Sequence, residues 1–192
     1  MAQPTPVKLF FCYAPEDEPL RKELEKHLTL LQRQGFLESW SGRTVGAGDD
    51  WRAEIERRMA EAKVILLLIS ADFIASDHLF EVELERALAH EKQGASVFGV
   101  LLRPSDWKHG KLRDLKMLPQ ADKSFQYETT TDGLGGVAQD TVVPITEWPS
   151  HDAAFKSIAE ALREKLGMWG YTSLNRITVN PSEAHPRSAP CG

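Results

Sequence analysis

An open α/β sandwich follows from three features of this sequence. Apolar runs of strand length alternate five times with segments whose apolar residues recur at helical spacing. The runs at 7–13 (VKLFFCY) and 63–69 (KVILLLI) are too uniformly apolar to leave a face in water, as expected of parallel strands covered on both sides. Glycines at 35, 94 and 167 fall where helical stripes stop. Together these predict a flavodoxin-like three-layer sandwich: a five-stranded parallel sheet in the order 2-1-3-4-5 with helices on both faces.

The first strand is predicted over 7–13, with 14–18 (APEDE) as the turn out of it. Pro19 suits the first turn of a helix, where its missing N–H costs nothing. Leu20, Leu24, Leu28 and Leu31 form that helix's inner stripe. A short second strand is expected over 36–40, then a glycine-rich loop over 41–50 (SGRTVGAGDD) closed by Asp50 as an N-cap. Ile55, Met59 and Ala62 line the next helix after Trp51. The central strand, 63–69, leads into one helix over 70–93, on which Phe80, Leu84, Ala87 and Leu88 face inward. Glu83 lies at the edge of that stripe, sharing a face with Leu79, and by spacing alone is a half-exposed helix carboxylate. A fourth strand is expected at 96–102, a long irregular segment at 103–141, and a fifth strand at 142–146. The last helix carries Phe155, Ile158, Leu162 and Leu166 inside. The folded domain is taken as 1–168, and 169–192 as a disordered tail or linker to a further domain, the run 172–192 being polar and aperiodic.

Composition narrows the function. The 192 residues carry 42% hydrophobic and 27% charged side chains, ordinary for a globular protein, and a net charge of −5 offers no basic field for nucleic acid. Two cysteines, Cys12 in a strand and Cys191 at the end, make no disulfide framework and suit a reducing cytoplasm. The N-terminal residues lack the pattern of a signal peptide, and no apolar run is long enough to cross a bilayer. A soluble cytoplasmic protein with no membrane partner is expected. CxxC and HExxH spacings are absent, and the six histidines read as surface or interfacial residues, so no metal is expected.

Ligands of open α/β sheets bind at the carboxyl ends of the strands. The turn after the first strand, YAPEDEP, has no glycine fingerprint for pyrophosphate, and no P-loop is present. Glu16 and Asp17 resemble the acidic pair of a response regulator, but the third strand ends in Ser70 rather than an aspartate. Ser70 lacks the G-x-S-x-G elbow of a hydrolase nucleophile. The rim residues that remain are Tyr13, Ala14, Trp40, Arg43, Ser70, Glu83, Arg103, Trp107 and Trp148. Aromatic rings suit stacking on a purine or nicotinamide, arginine suits phosphate, and a carboxylate suits a ribose diol. Packing and surface ion pairs are the ordinary roles of the same side chains.

From about residue 7 to 166 the sequence resembles a bacterial Toll/interleukin-1 receptor (TIR) domain. The most specific pieces are the strand-end box at 11–17, the W-x-x-R loop with A-G at 40–48, and S-x-D-F-x-x-S-x-x-x-x-x-x-E-L at 70–84. R-P-x-D-W at 103–107 and L-P at 118–119 are further family features. The resemblance implies an activity that spacing does not give. Many such domains cleave NAD+ at the nicotinamide–ribose bond with a glutamate of the third helix, commonly in W-x-x-x-E. Glu83 holds that position and is the implied catalytic residue, while Leu79 stands where the tryptophan usually is.

Tyr13, Ala14, Trp40, Arg43, Ser70, Leu79 and Trp148 become the implied substrate-binding set, with Trp40 or Trp148 able to supply the missing ring. NAD+ is then the substrate and no cofactor is implied. Ser41, Gly42, Arg43, Thr44, Val45, Gly46, Ala47 and Gly48 form the family's BB loop, implied in self-association that activates the enzyme. A fused or separate sensor domain and a role in antiphage defence are also implied. The alternative is a non-catalytic TIR–TIR interaction module, serving as a signalling adaptor or virulence factor. A nucleoside 2-deoxyribosyltransferase-like enzyme is a third possibility, disfavoured by the BB-loop pattern.

Overall fold

The computed structural model describes residues 5–41, 51–120 and 142–171. Its centre is a five-stranded, all-parallel sheet in the order β2-β1-β3-β4-β5. In chain order the elements are β1 (Val7–Cys12), α1 (Glu18–Arg33), β2 (Leu37–Ser41), α2 (Trp51–Glu61), β3 (Val64–Ile69), α3 (Ala71–Ala75), a π-helical turn (His78–Glu83), α4 (Leu84–Glu91), β4 (Ser96–Leu101), β5 (Lys116–Leu118) and α5 (His151–Met168).

Strand alternation divides the interior into two layers. Leu9, Phe11 and Tyr13 of β1 and its end, with Val64, Leu66 and Leu68 of β3, face one layer. There α1 adds Leu24, Leu28 and Leu31, and α5 adds Phe155, Ile158, Leu162 and Leu166. Phe10, Cys12 and Ala14, with Ile65, Leu67 and Ile69, face the other, closed by Ile55 and Met59 of α2, Phe73 of α3, and Leu84 and Ala87 of α4. All six residues of β3 are buried. Each such side chain taken from water contributes about 1.5–3 kcal/mol, so this strand requires cover on both faces.

Three expectations differ from the fold. The fifth strand is Lys116–Leu118, not 142–146. Pro144 cannot donate to a ladder, Ile145–Glu147 forms a 3-10 turn, and Val142 makes only an isolated antiparallel bridge to Gln120. The strand that does pair with β4 is three residues long, inside the segment read as irregular. It fits because Met117 lies opposite Gly99, where a Cβ would overlap the Met117 sulfur.

The helix expected over 70–93 is broken. Ser70 caps α3 by accepting from the Phe73 N–H at 3.1 Å, Ser76 is extended at φ −85° and ψ 109°, and the chain re-enters as a π turn before α4. Gly94, at φ 107°, ends that region as its sequence position suggested.

The packed chain also extends past residue 168. The Tyr171 hydroxyl donates to the Thr5 carbonyl at 2.7 Å, its ring meets Phe36 edge-on, and the Lys63 ammonium lies 4.3 Å from the centre of the Trp169 ring. The proposed tail over 172–192 and the loop over 42–50, with its N-cap Asp50, lie outside the described residues.

Gly99→Val should destabilise the domain by about 1–3 kcal/mol, since the new side chain must displace buried Met117. Urea unfolding of the two proteins measures it.

Candidate functional site

Glu83 is not the half-exposed carboxylate that helical spacing suggests: only 5% of the residue is accessible. Its Oε2 accepts from the Cys12 thiol at 2.8 Å, and its Oε1 lies 3.3 Å from His78 Nε2. Cys12 is the last residue of β1, so the carboxylate sits at the carboxyl end of a central strand, on the α2/α4 side of the sheet. Burial first, then the Glu83 charge and hydrogen bond, push the Cys12 thiol well above its ordinary range, which keeps the S–H as a donor.

The π turn accounts for the histidine. On an α-helix, residues five apart are separated by about 140° around the axis, and His78 would point away from Glu83. Over His78–Glu83 the i→i+5 geometry closes that angle, and the Leu84 N–H donates to the Leu79 carbonyl five residues back. Such π turns are frequent at functional sites. Glu81 and Glu85, the neighbouring carboxylates, are exposed and both pair with Lys111 at 2.7 Å. Glu83 alone of the three is drawn inside.

The expected binding residues fall into separate places. Ala14 and Leu79 are buried in the same layer as Cys12, the thiol partner of Glu83. Trp40 borders that layer, but its ring lies under the Arg58 guanidinium at 3.9 Å. Tyr13 and Trp148 belong to the opposite layer. The Trp148 indole donates to the Val143 carbonyl at 3.1 Å, so this tryptophan packs the α5 side of the sheet and is not beside Glu83. Ser70 is fully buried and serves the fold: besides capping α3, its hydroxyl donates to Asp17 Oδ2 at 2.5 Å. Ser41 ends β2. Gly42, Arg43, Thr44, Val45, Gly46, Ala47 and Gly48 lie outside the described residues.

Two further charged clusters lie at this end of the sheet, one bracing the strand exits and one on α1. Asp17, 1% exposed, receives Ser70 and Arg103, and Arg103 bridges to Asp72 with both carboxylate contacts at 2.5 Å. This joins the exits of β1, β3 and β4. The acidic residue that suggested a response-regulator pair is therefore a brace between strand ends. On the α1 side, buried Arg21 pairs with Glu18 at 3.1 Å and Glu25 at 2.7 Å and lies over the rings of Phe11 and Tyr13. Burial, ahead of the neighbouring Glu18, pushes the Tyr13 phenol up to about 12. Burial opposes the Glu18 charge, but the Tyr13 hydroxyl and Arg21 outweigh it and hold the carboxyl down at about 2.

Among the described residues no three His, Cys, Asp or Glu side chains converge as metal ligands, and no helix is long and apolar enough to cross a membrane. Sequence reading passed over Cys12 and His78 as site residues. Cys12 had one usable signal: it shares strand parity with Ala14, at the carboxyl end of the strand. His78 had none, because its approach depends on the π turn.

This parallel sheet, with a buried glutamate on the segment after β3, belongs to a known class. The chain is a member of the TIR domain family, whose pattern it matches over residues 9–133. It is also 39% identical over 182 residues to an uncharacterized protein, y4lF, of Sinorhizobium fredii (strain NBRC 101917 / NGR234). That match covers 94% of this chain and 48% of the relative, so the chain spans about half the length of the protein it resembles.

Glu18 gives the α1 cluster a pH signature. Its folded value of about 2 is below the ordinary 4.5, so its contribution is complete above the ordinary value and is lost as pH falls through the folded one. Glu18→Gln should therefore cost on the order of 1 kcal/mol at pH 7, and the two proteins should converge as pH approaches about 2. Urea unfolding across that range measures the convergence.

Proposed function

We propose that this TIR domain is an NAD+ nucleosidase in which Glu83 stabilises the ribosyl cation formed as the nicotinamide–ribose bond breaks. The observation that carries this reading is the burial of the Glu83 carboxylate at the carboxyl end of β1, with a polar partner on each oxygen. Taking a carboxylate out of water costs several kcal/mol, whereas an apolar side chain at the same place would be stabilising. The fold alone gives no reason to keep the charge.

In the reaction, nicotinamide leaves as a neutral molecule with the bonding electron pair, and positive charge develops on the ribose. A carboxylate accepting hydrogen bonds from the ribose hydroxyls holds that charge more strongly in the transition state than in bound NAD+, which is the condition for raising the rate. Attack by water at the anomeric carbon, with loss of its proton, gives ADP-ribose. Attack by a nucleophile of the same molecule gives a cyclic isomer. In either case the chemistry parallels glycoside hydrolysis.

Leu79, buried against the same layer, offers no ring for stacking. We infer that the ring comes from Trp40, which borders this layer, or from a second copy of the domain, and that activity follows self-association through the BB loop. An assembly of this kind suits signalling in defence, with a sensor elsewhere. A domain that only binds other TIR domains would explain the loop but not the buried charge.

Chromatography of NAD+ incubated with the concentrated domain should show nicotinamide release by the wild type, a loss of at least about 100-fold in Glu83→Gln, and specific activity that rises with protein concentration. Equal cleavage by Glu83→Gln would remove the carboxylate from the chemistry. No cleavage by the wild type at any concentration would leave the interaction module as the reading.

A further inference from the structure

We propose that Cys12 is a positioning residue for Glu83, its buried thiol fixing the direction of the carboxylate. This rests on Glu83 being the carboxylate that faces the ribose, and extends it to a second residue. The contact runs from Cys12 Sγ to Glu83 Oε2 at 2.8 Å, both groups being buried.

The two ends of that contact differ in stiffness. Cys12 is paired in register with Leu67 of β3, so its Cα is held by the sheet. Glu83 ends the π turn and has three side-chain torsions to fix. A donor on the rigid strand removes that freedom at one oxygen. Cysteine meets two demands at this position: it packs as a small apolar side chain among Phe10, Ile65 and Leu67, and it still offers a proton. His78, with 38% of its side chain accessible, takes the other oxygen at 3.3 Å. Oε2 is thus tethered inside, and Oε1 is the oxygen that exchanges partners with solvent or a ribose hydroxyl.

Other charged groups around this layer are engaged elsewhere. On α2, Arg58 covers Trp40 and Glu56 pairs with Arg86 of α4. Lys111, before β5, holds Glu81 and Glu85. Asp17, Ser70, Asp72 and Arg103 bind one another. Among the described residues, Cys12 and His78 are the titratable groups that meet the Glu83 carboxylate.

In Cys12→Ala kcat for NAD+ should fall several-fold while KM changes by less than about twofold. Cys12→Ser, which keeps a donor, should restore most of kcat. The fall should persist in a His78→Gln background, which separates it from the histidine contact. Cys12→Ala with the wild-type kcat would overturn the proposal.

A second measurement needs neither activity nor a folded Cys12 variant. In Cys191→Ser protein Cys12 is the remaining thiol, and its infrared S–H stretching band should lie lower than in the same protein carrying Glu83→Leu. Coincident bands would mean that the thiol does not donate to Glu83, and would overturn the proposal even in an active enzyme. A shifted band in a protein that cleaves no NAD+ would retain the contact and reject the nucleosidase reading.

Discussion

The burial of β3 on both faces constrains everything else in this domain. VILLLI has no side chain that gains from water, so two helical layers must close over it, and parallel pairing to β1 and β4 then brings all strand exits to one rim. The chain enters the helices from that rim. The polar groups of this rim follow from the arrangement: Asp17 after β1, Ser70 and Asp72 after β3, Arg103 after β4, and Glu83 on the segment that returns past the end of β1.

At such a rim the apolar layers end and ionised groups become partly or wholly buried. Each is answered locally. Asp17 has Ser70 and Arg103, Arg21 has Glu18 and Glu25, and Glu83 has Cys12 and His78. The first two clusters contain full opposite charges: Arg103 joins the exits of β1, β3 and β4, and the Arg21 pairs lie within α1 and hold its guanidinium over the Phe11 and Tyr13 rings, which are structural tasks. Glu83 is different. One of its partners is a neutral thiol, and the other is a histidine open to solvent. A weakly compensated carboxylate is poor bracing, yet it is well suited to meet a cation that exists only in a transition state.

Much of this was legible in the residues. Uniformly apolar strands gave the sheet, helical stripes gave its cover, and Glu83 stood out by position and family pattern. The fifth strand was not legible because 116–118 is shorter than any periodicity can register, and what makes it pair is the space above Gly99. The break at Ser76 was hidden because the apolar spacing of the segment fits an unbroken helix. Trp40 and Trp148 read as equivalent rim aromatics, but strand parity and the turn before α5 send them to opposite sides of the sheet.

By itself the sequence determined the parallel α/β architecture, because alternation and apolar density act along the chain and need no partner. Tertiary structure alone decided the state of Glu83. Whether a helix carboxylate is solvated or buried depends on what the neighbouring strand presents and on how the helix is wound, and both are properties of packing. Cys12 and Glu83 are 71 residues apart in the chain, His78 and Glu83 are five apart on a turn that α-helical geometry would not align, and only the folded sheet and its π turn bring the three together.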